Sequence, residues 1–262
     1  MADFVKVASL SELKPGAAMT VEVNGKAIAF GTDIWTFWGR EIVDILSTQR
    51  HNRDEAMLKN AMNDYSGLRI GLLAIQGDFE MHQRQVEQLG ATSLLVKLPR
   101  DLDQIDALIM PGGESTTMSI MMDRFGLRHP LEDFGRRKPI YGTCAGMIML
   151  SKCIKDDISG VVPLGLMDID VLRNGYGRQI FSFEQLIPAE LGNGHPLKAT
   201  FIRAPKIVRA GSTVQTLANL NGIPILVRQK NLLAASFHTE LDPDTTLLRY
   251  FFDNFFARQS RS

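Results

Sequence analysis

Cysteine is almost missing from this chain. Among 262 residues only Cys144 and Cys153 occur. Two thiols are too few for a disulfide framework or a four-thiolate metal site, so no metal is expected and a reducing, cytoplasmic setting is. Net charge is missing as well, since 29 Lys and Arg balance 29 Asp and Glu. That balance excludes a broad basic surface for nucleic acid. A disordered acidic chain is excluded by the 45% of residues that are hydrophobic and can bury a core. No apolar run is long enough to span a bilayer, so no membrane partner is expected. The opening MADFVKVASLSELKPG lacks a basic start followed by an apolar block, and no secretory signal is expected from it. Internal repeats and low-complexity tracts are absent too. What remains is the composition of an α/β protein, most often an enzyme.

Two textures divide the sequence, with Ser66-Gly67 as the expected joint. Residues 1–66 read as an N-terminal extension. Met19–Val23 alternates apolar and polar residues, Asn24-Gly25 suits a tight turn with positive φ, and Lys26–Phe30 is the return strand. Short helices are expected around Ile42–Leu46 and Met57–Tyr65. Residues 67–262 alternate strands and helices. Leu68–Ile75, Ser93–Val96, Asp106–Met110 and Pro139–Gly142 read as buried strands. Asp78 is placed to cap a helix whose apolar face is Phe79, His82, Val86 and Leu89, closed by Gly90. Met118, Met121, Met122 and Phe125 have helical spacing, and Thr245–Phe256 reads as a closing helix. The stretch Ile158–Phe237 is more β-like, with strands at Ile225–Gln229 and Leu232–Phe237. Repeated βα units predict a mostly parallel sheet flanked by helices.

The strongest chemical signal is Gly142-Thr-Cys144-Ala-Gly146. It has the G-x-nucleophile-x-G spacing of a strand-to-helix elbow. Such a turn lifts Cys144 to a helix N-terminus, where backbone N–H groups can meet an oxyanion. A lone cysteine is usually structural, and that is the reading for Cys153, which lacks flanking glycines. A nucleophile needs a base and an orienting group. His238 and Glu240, in Ser236-Phe-His-Thr-Glu-Leu241, project to one side of an extended strand and supply them. Of the other histidines, His82 suits packing on a helix, His129 and His195 precede prolines in expected loops, and His51 lies in the extension. Pro111-Gly-Gly-Glu-Ser115 also follows a strand end, on the rim where open α/β sheets bind ligands. Without a Lys it is not a Walker-type phosphate loop. Arg173 and Arg203 are candidate forks for a substrate carboxylate.

Together these segments resemble the class I glutamine amidotransferases, a flavodoxin-like α/β fold. More narrowly they resemble the glutaminase subunits of pyridoxal 5′-phosphate synthase. The resemblance is carried by Leu73-Ala-Ile-Gln-Gly77, Pro111-Gly-Gly-Glu-Ser-Thr-Thr117, Gly142-Thr-Cys-Ala-Gly146, Arg173-Asn-Gly-Tyr-Gly-Arg-Gln179, Phe201-Ile-Arg-Ala-Pro205 and Ser236–Leu241. It spans about Leu68 to Phe256. It implies that Cys144 attacks the side-chain amide of L-glutamine, with His238 as proton shuttle and Glu240 orienting it. It further implies a glutamine pocket of Gly113, Glu114, Ser115, Arg173, Ile202 and Arg203, and oxyanion N–H groups from Gly113 and Ala145. The implied partner is the (β/α)₈ barrel subunit of the synthase, which Gln76 would face, and no cofactor is implied. Two features depart from the family pattern. Thr239 stands where proline is usual, and activity is expected to survive it. Residues 1–66 have no counterpart; Phe4–Phe30 resembles the opening strands of a Rieske-type ferredoxin domain, but without the Cys and His pairs no cluster is expected. Two alternatives to this function are a non-catalytic regulatory pseudo-subunit and another cysteine amidotransferase or peptidase on the same scaffold.

Overall fold

A computed structural model describes the backbone of two N-terminal strands and residues 65–156, 160–175, 182–192 and 196–256. The helix expected over Ile42–Leu46, most of that over Met57–Tyr65, and His51 and His195 lie outside the described residues. The chain divides into two compact units, Met1–Asn63 and Asp64–Ser262. In the first, β1 (Ala18–Val23) pairs antiparallel with β2 (Lys26–Gly31), with Val23 opposite Lys26.

The second unit begins with βα alternation. Strand β3 (Arg69–Leu73) leads to α1 (Phe79–Gln88) and β4 (Thr92–Val96). A 3-10 turn (Pro99–Gln104) leads to β5 (Ala107–Met110), α2 (Ser115–Arg124) and α3 (Arg128–Arg137). Then come β6 (Ile140–Thr143), the short α4 (Ala145–Leu150), β7 (Ser151–Ile154) and β8 (Met167–Leu172). The ribbon β9 (Phe183–Ile187) and β10 (Leu197–Phe201) precedes β11 (Lys206–Ala210), β12 (Gln215–Leu220), β13 (Ile223–Gln229), β14 (Leu232–Ala235) and α5 (Thr246–Phe256).

Seven strands form one sheet in the order β12-β13-β14-β6-β5-β3-β4. From β14 to β4 every pairing is parallel, and at one edge β13 runs antiparallel to both β12 and β14. Their hairpin turns at Asn221-Gly222, both with positive φ. The parallel strands are continuous apolar runs because both of their faces are buried. Ile70, Leu72, Ala107, Ile109 and Tyr141 join one apolar cluster with α1 and α5. Their neighbours Leu73, Leu108, Met110 and Ile140 join the other, with α2, α3 and α4. This alternation sets helices on both faces and leaves the carboxyl rim of the sheet to the loops. The segments that follow β3, β5, β6 and β14 hold Gln76, Gly112, Cys144 and His238, respectively.

Two expectations change. Asp78 occupies the N-cap of α1, but its side chain makes no capping hydrogen bond. His129 lies in no loop; it sits in the first turn of α3, where a proline is tolerated, and its Nδ1 is 3.2 Å from Glu132 Oε2.

Candidate active site

Cys144 is the residue between β6 and α4, and its backbone is strained. It holds φ 49° and ψ −104°, a region that costs a side-chain-bearing residue about 1–3 kcal/mol. Its N–H is anchored on Ala235 O at 2.8 Å. The flanking glycines make the turn possible. A Cβ on Gly142 would strike the Gly146 backbone, and one on Gly146 would strike the Met110 carbonyl of β5. The thiol is buried, with Sγ 4.0 Å from Ile202 O. Ala145, the first residue of α4, presents the next N–H in line.

His238 follows the strand, as expected, but β14 ends at Ala235, two residues before the expected Phe237. His238 is held instead by a lone antiparallel bridge to Thr200 of β10, with His238 N–H to Thr200 O at 2.8 Å and Thr200 N–H to His238 O at 3.2 Å. The side chains of residues 238 and 240 still share a side, and His238 Nδ1 lies 2.5 Å from Glu240 Oε1. Burial alone would lower the His238 pKa. Hydrogen bonds to Cys144 and Glu240, with the charges of both, outweigh it and push the ring up to about 10. Burial works to raise Glu240. The His82 and His238 rings, helped by a hydrogen bond from its own backbone, hold it at about 2. The result is a buried chain of sulfur, imidazole and carboxylate whose middle member favours the protonated form. Gly112 completes the enclosure, because a Cβ there would run into the His238 ring.

The Gly-Gly-Glu-Ser loop faces this chain. Glu114 caps α2, accepting from Thr116 N at 2.9 Å and Thr117 N at 2.7 Å. Burial raises its pKa, but these two amides and the threonine hydroxyls bring it down to about 2. Its own N–H donates to Gln76 Oε1 at 3.0 Å. The Gln76 carboxamide also fills the space a Cβ on Gly113 would need, and Gly113 has φ +145°. Arg173 sits after β8 and reaches this loop, with Nη2 3.1 Å from Glu114 Oε1 and 3.0 Å from Thr116 Oγ1. Ser115 is buried and Arg203 is exposed, with φ 46°. The structure thus brings Cys144, His238 and Glu240 into one relay and Gly113, Glu114 and Arg173 into one loop cluster. Ile202 meets Cys144 through its carbonyl. Cys153, at the end of β7, is not part of this site.

One neighbour escaped the sequence reading. His82 of α1 is fully buried, as a packing residue would be, but its Nε2 lies 3.6 Å from Glu240 Oε2 and 3.3 Å from Thr143 Oγ1. Burial, the largest influence, lowers its pKa below the usual histidine value, against the opposing pull of the Glu240 carboxylate. One turn on, Gln85 donates to the carbonyls of Thr239, Asp242 and Asp244 at 3.0, 3.0 and 3.2 Å. Tyr141 Oη lies 3.3 Å from Thr239 Oγ1. The signal available in the sequence was the i, i+3 spacing of two polar residues on an otherwise apolar helix face. Among the described residues no group of three or more His, Cys, Asp or Glu is placed to hold a metal ion.

This geometry has relatives. Residues 72–257 match the SNO glutamine amidotransferase family. A pyridoxal 5′-phosphate synthase subunit PdxT from Dehalococcoides mccartyi is 46% identical over 186 residues, 70% of this chain and 95% of that protein. A subunit of the same name from Thermotoga maritima is 43% identical, covering 71% of this chain and 98% of its own length. A crystal structure of a glutamine amidotransferase, 39% identical, superposes with a TM-score of 0.66 over 70% of this chain and 97% of that one. At 14% identity, PurLQS from Thermotoga maritima shares the fold, with a TM-score of 0.53 over 71% of this chain and 97% of that one. A cysteine elbow, a histidine and a glutamate meeting at the rim of a parallel sheet, in a chain matched by this family over most of its length, lead to one assignment: the chain belongs to the SNO glutamine amidotransferase family.

Proposed function

We propose that this chain hydrolyses L-glutamine to L-glutamate and ammonia, as the glutaminase subunit of a pyridoxal 5′-phosphate synthase. The observation that carries the reading is the Cys144–His238–Glu240 relay in a chain 43–47% identical to subunits named for that synthase. The Cys144 sulfur attacks the amide carbon of glutamine. The tetrahedral oxyanion is met by the N–H groups of Gly113 and Ala145. His238 passes its proton to the leaving nitrogen, ammonia departs, and a glutamyl thioester remains. Water, deprotonated by His238, attacks the thioester; glutamate leaves and the thiol is restored. Glu240 keeps the imidazole oriented and offsets its charge throughout. Glu114, Ser115, Arg173, Ile202 and Arg203 line the glutamine pocket, with arginine facing the α-carboxylate.

Ammonia is volatile and protonates in water, so a glutaminase of this kind acts with an acceptor. The partner in this reading is the barrel subunit of the synthase, which consumes the ammonia. Gln76 couples the two, because its carboxamide both reaches the rim and holds the Gly113-Glu114 peptide. A cytoplasmic setting accords with two free cysteines. Among the described residues no helix is long and apolar enough to cross a membrane. Neither the peptidase nor the non-catalytic alternative is favoured by any feature of the site. The test is glutamate release from glutamine with and without the synthase barrel. Cys144→Ala is expected to abolish it, and release unchanged by that substitution would overturn the reading.

A further inference from the structure

Among the described residues, two buried polar atoms beside the relay lack a hydrogen-bond partner, and both belong to one pair: Glu240 Oε2 and His82 Nδ1. A buried acceptor on an ionised carboxylate is costly to leave unmade. The atom nearest to meeting that need is His82 Nε2, 3.6 Å from Glu240 Oε2, and a displacement of roughly 0.5 Å brings it within hydrogen-bond length. The tautomer follows from charge. With the proton on Nδ1, the bare Nε2 lone pair would face a carboxylate, and an N–H would be buried without an acceptor. With the proton on Nε2, the N–H points between Glu240 Oε2 and Thr143 Oγ1, and the unpaired atom is only an acceptor.

We infer that His82 is a positioning residue for the relay: its Nε2–H holds the second oxygen of Glu240, so that the first stays aimed at His238 Nδ1. The inference rests on the reading of Cys144, His238 and Glu240 as a glutaminase relay. Burial and the charge of His238 favour the neutral ring, while Glu240 and Asp78 favour the charged one. Glu240 and His238 face it from the segment after β14, Thr143 and Tyr141 from β6, and Asp78 from the residue before α1. Gln85, on the same face of α1, clamps the main chain on both sides of Glu240. The helix therefore fixes the carboxylate twice, once by its backbone and once by its free oxygen. Thr143 Oγ1 lies 3.3 Å from the same ring, so one imidazole adjoins both the carboxylate of the relay and the residue before its nucleophile.

The experiment uses the full chain in complex with the synthase barrel. His82→Leu removes the N–H at similar volume, and His82→Gln retains an N–H at comparable reach. His82→Leu is expected to lower kcat for glutamine hydrolysis about ten- to hundred-fold, as loss of an outer-shell partner does elsewhere, with KM within about three-fold. His82→Gln is expected to recover most of the loss. A second readout is independent of turnover: the pH dependence of Cys144 alkylation, followed by mass of its peptide. Its acid limb is expected to move up by about half a pH unit or more in His82→Leu, because a less firmly held Glu240 supports the His238 charge less well. Should His82→Leu fail to fold, His82→Met takes its place as the donor-free variant. Wild-type kcat with an unmoved alkylation profile would overturn the inference. So would equal losses in the Leu and Gln variants that track the folded fraction. If glutamine hydrolysis itself survives Cys144→Ala, the functional reading falls separately, and the alkylation profile still decides whether His82 governs the Cys144–His238 pair.

Discussion

Replacing Gly146 with alanine sets two familiar effects against each other. Gly146 lies inside α4, where alanine is worth about 1 kcal/mol more than glycine in helix propensity. Judged on the helix alone, the substitution stabilises. The added methyl, however, would overlap the carbonyl oxygen of Met110, closer than real Cβ contacts come. That oxygen cannot swing aside. Met110 is fully buried and is paired with Gly142 in the parallel ladder. Overpacking against fixed backbone costs about 1–3 kcal/mol. Taking the upper end, because the obstacle is main chain, the net is a loss of about 2 kcal/mol. For a unit of this size that is a fall in melting temperature of roughly 4–8 °C. Relief can come only by displacing α4, which carries Cys144 and the Ala145 N–H, so kcat for glutamine should fall at least about ten-fold. The assay is thermal unfolding by circular dichroism, with Gly67→Ala as a control, since a Cβ there meets nothing within 4 Å. A Gly146→Ala protein that melts at or above the wild-type temperature would refute the close-approach argument.

Other outcomes follow from the same site. Glu240 is held at about 2, so its contribution to stability is fully present above the usual carboxylate range near 4.5 and is lost as pH falls through about 2. The stability advantage of wild type over Glu240→Gln, measured by urea unfolding, should therefore shrink as pH is lowered across that window. In the same variant the His238 ring, followed by NMR, should titrate below about 10, because one of its two partners is gone. Arg173→Ala should lower kcat/KM for glutamine by roughly ten- to hundred-fold, the worth of a charge-assisted hydrogen bond, and Arg173→Lys should restore little of it. Gln85→Leu leaves three main-chain carbonyls without their donor and should cost about 1–3 kcal/mol in thermal unfolding.

The parallel core could be read from sequence because strands buried on both faces have no polar positions, as in Leu72-Leu73 and Ala107–Met110. The elbow was legible for a related reason: two glycines around one cysteine mark a turn that no other residues can make. Helix α3 was hidden. Its sequence RHPLEDFGRR holds a proline and a glycine, both of which argue against a helix, and only Leu131 and Phe134 supply a large apolar face. The proline falls in the first turn, where no N–H is needed. The glycine packs closely on the side-chain ends of Leu166 and Ile140. A separate three-stranded sheet, in the order β11-β8-β7, was legible only as β-rich sequence, since its partners are set by long-range packing. His82 illustrates the same limit. Its burial followed from helical spacing, but its approach to Glu240 joins residues far apart in sequence, which no local pattern encodes.

The bridge between Thr200 and His238 makes a single peptide ribbon answerable for two tasks. The strand that supports the base continues directly through Phe201, stacked on Phe183 at 4.6 Å and packed on Phe237 at 5.7 Å, into Ile202 and Arg203. On the proposed function, proton transfer and substrate fit share this ribbon, so a change that retunes glutamine recognition through Ile202 or Arg203 should also reach the relay.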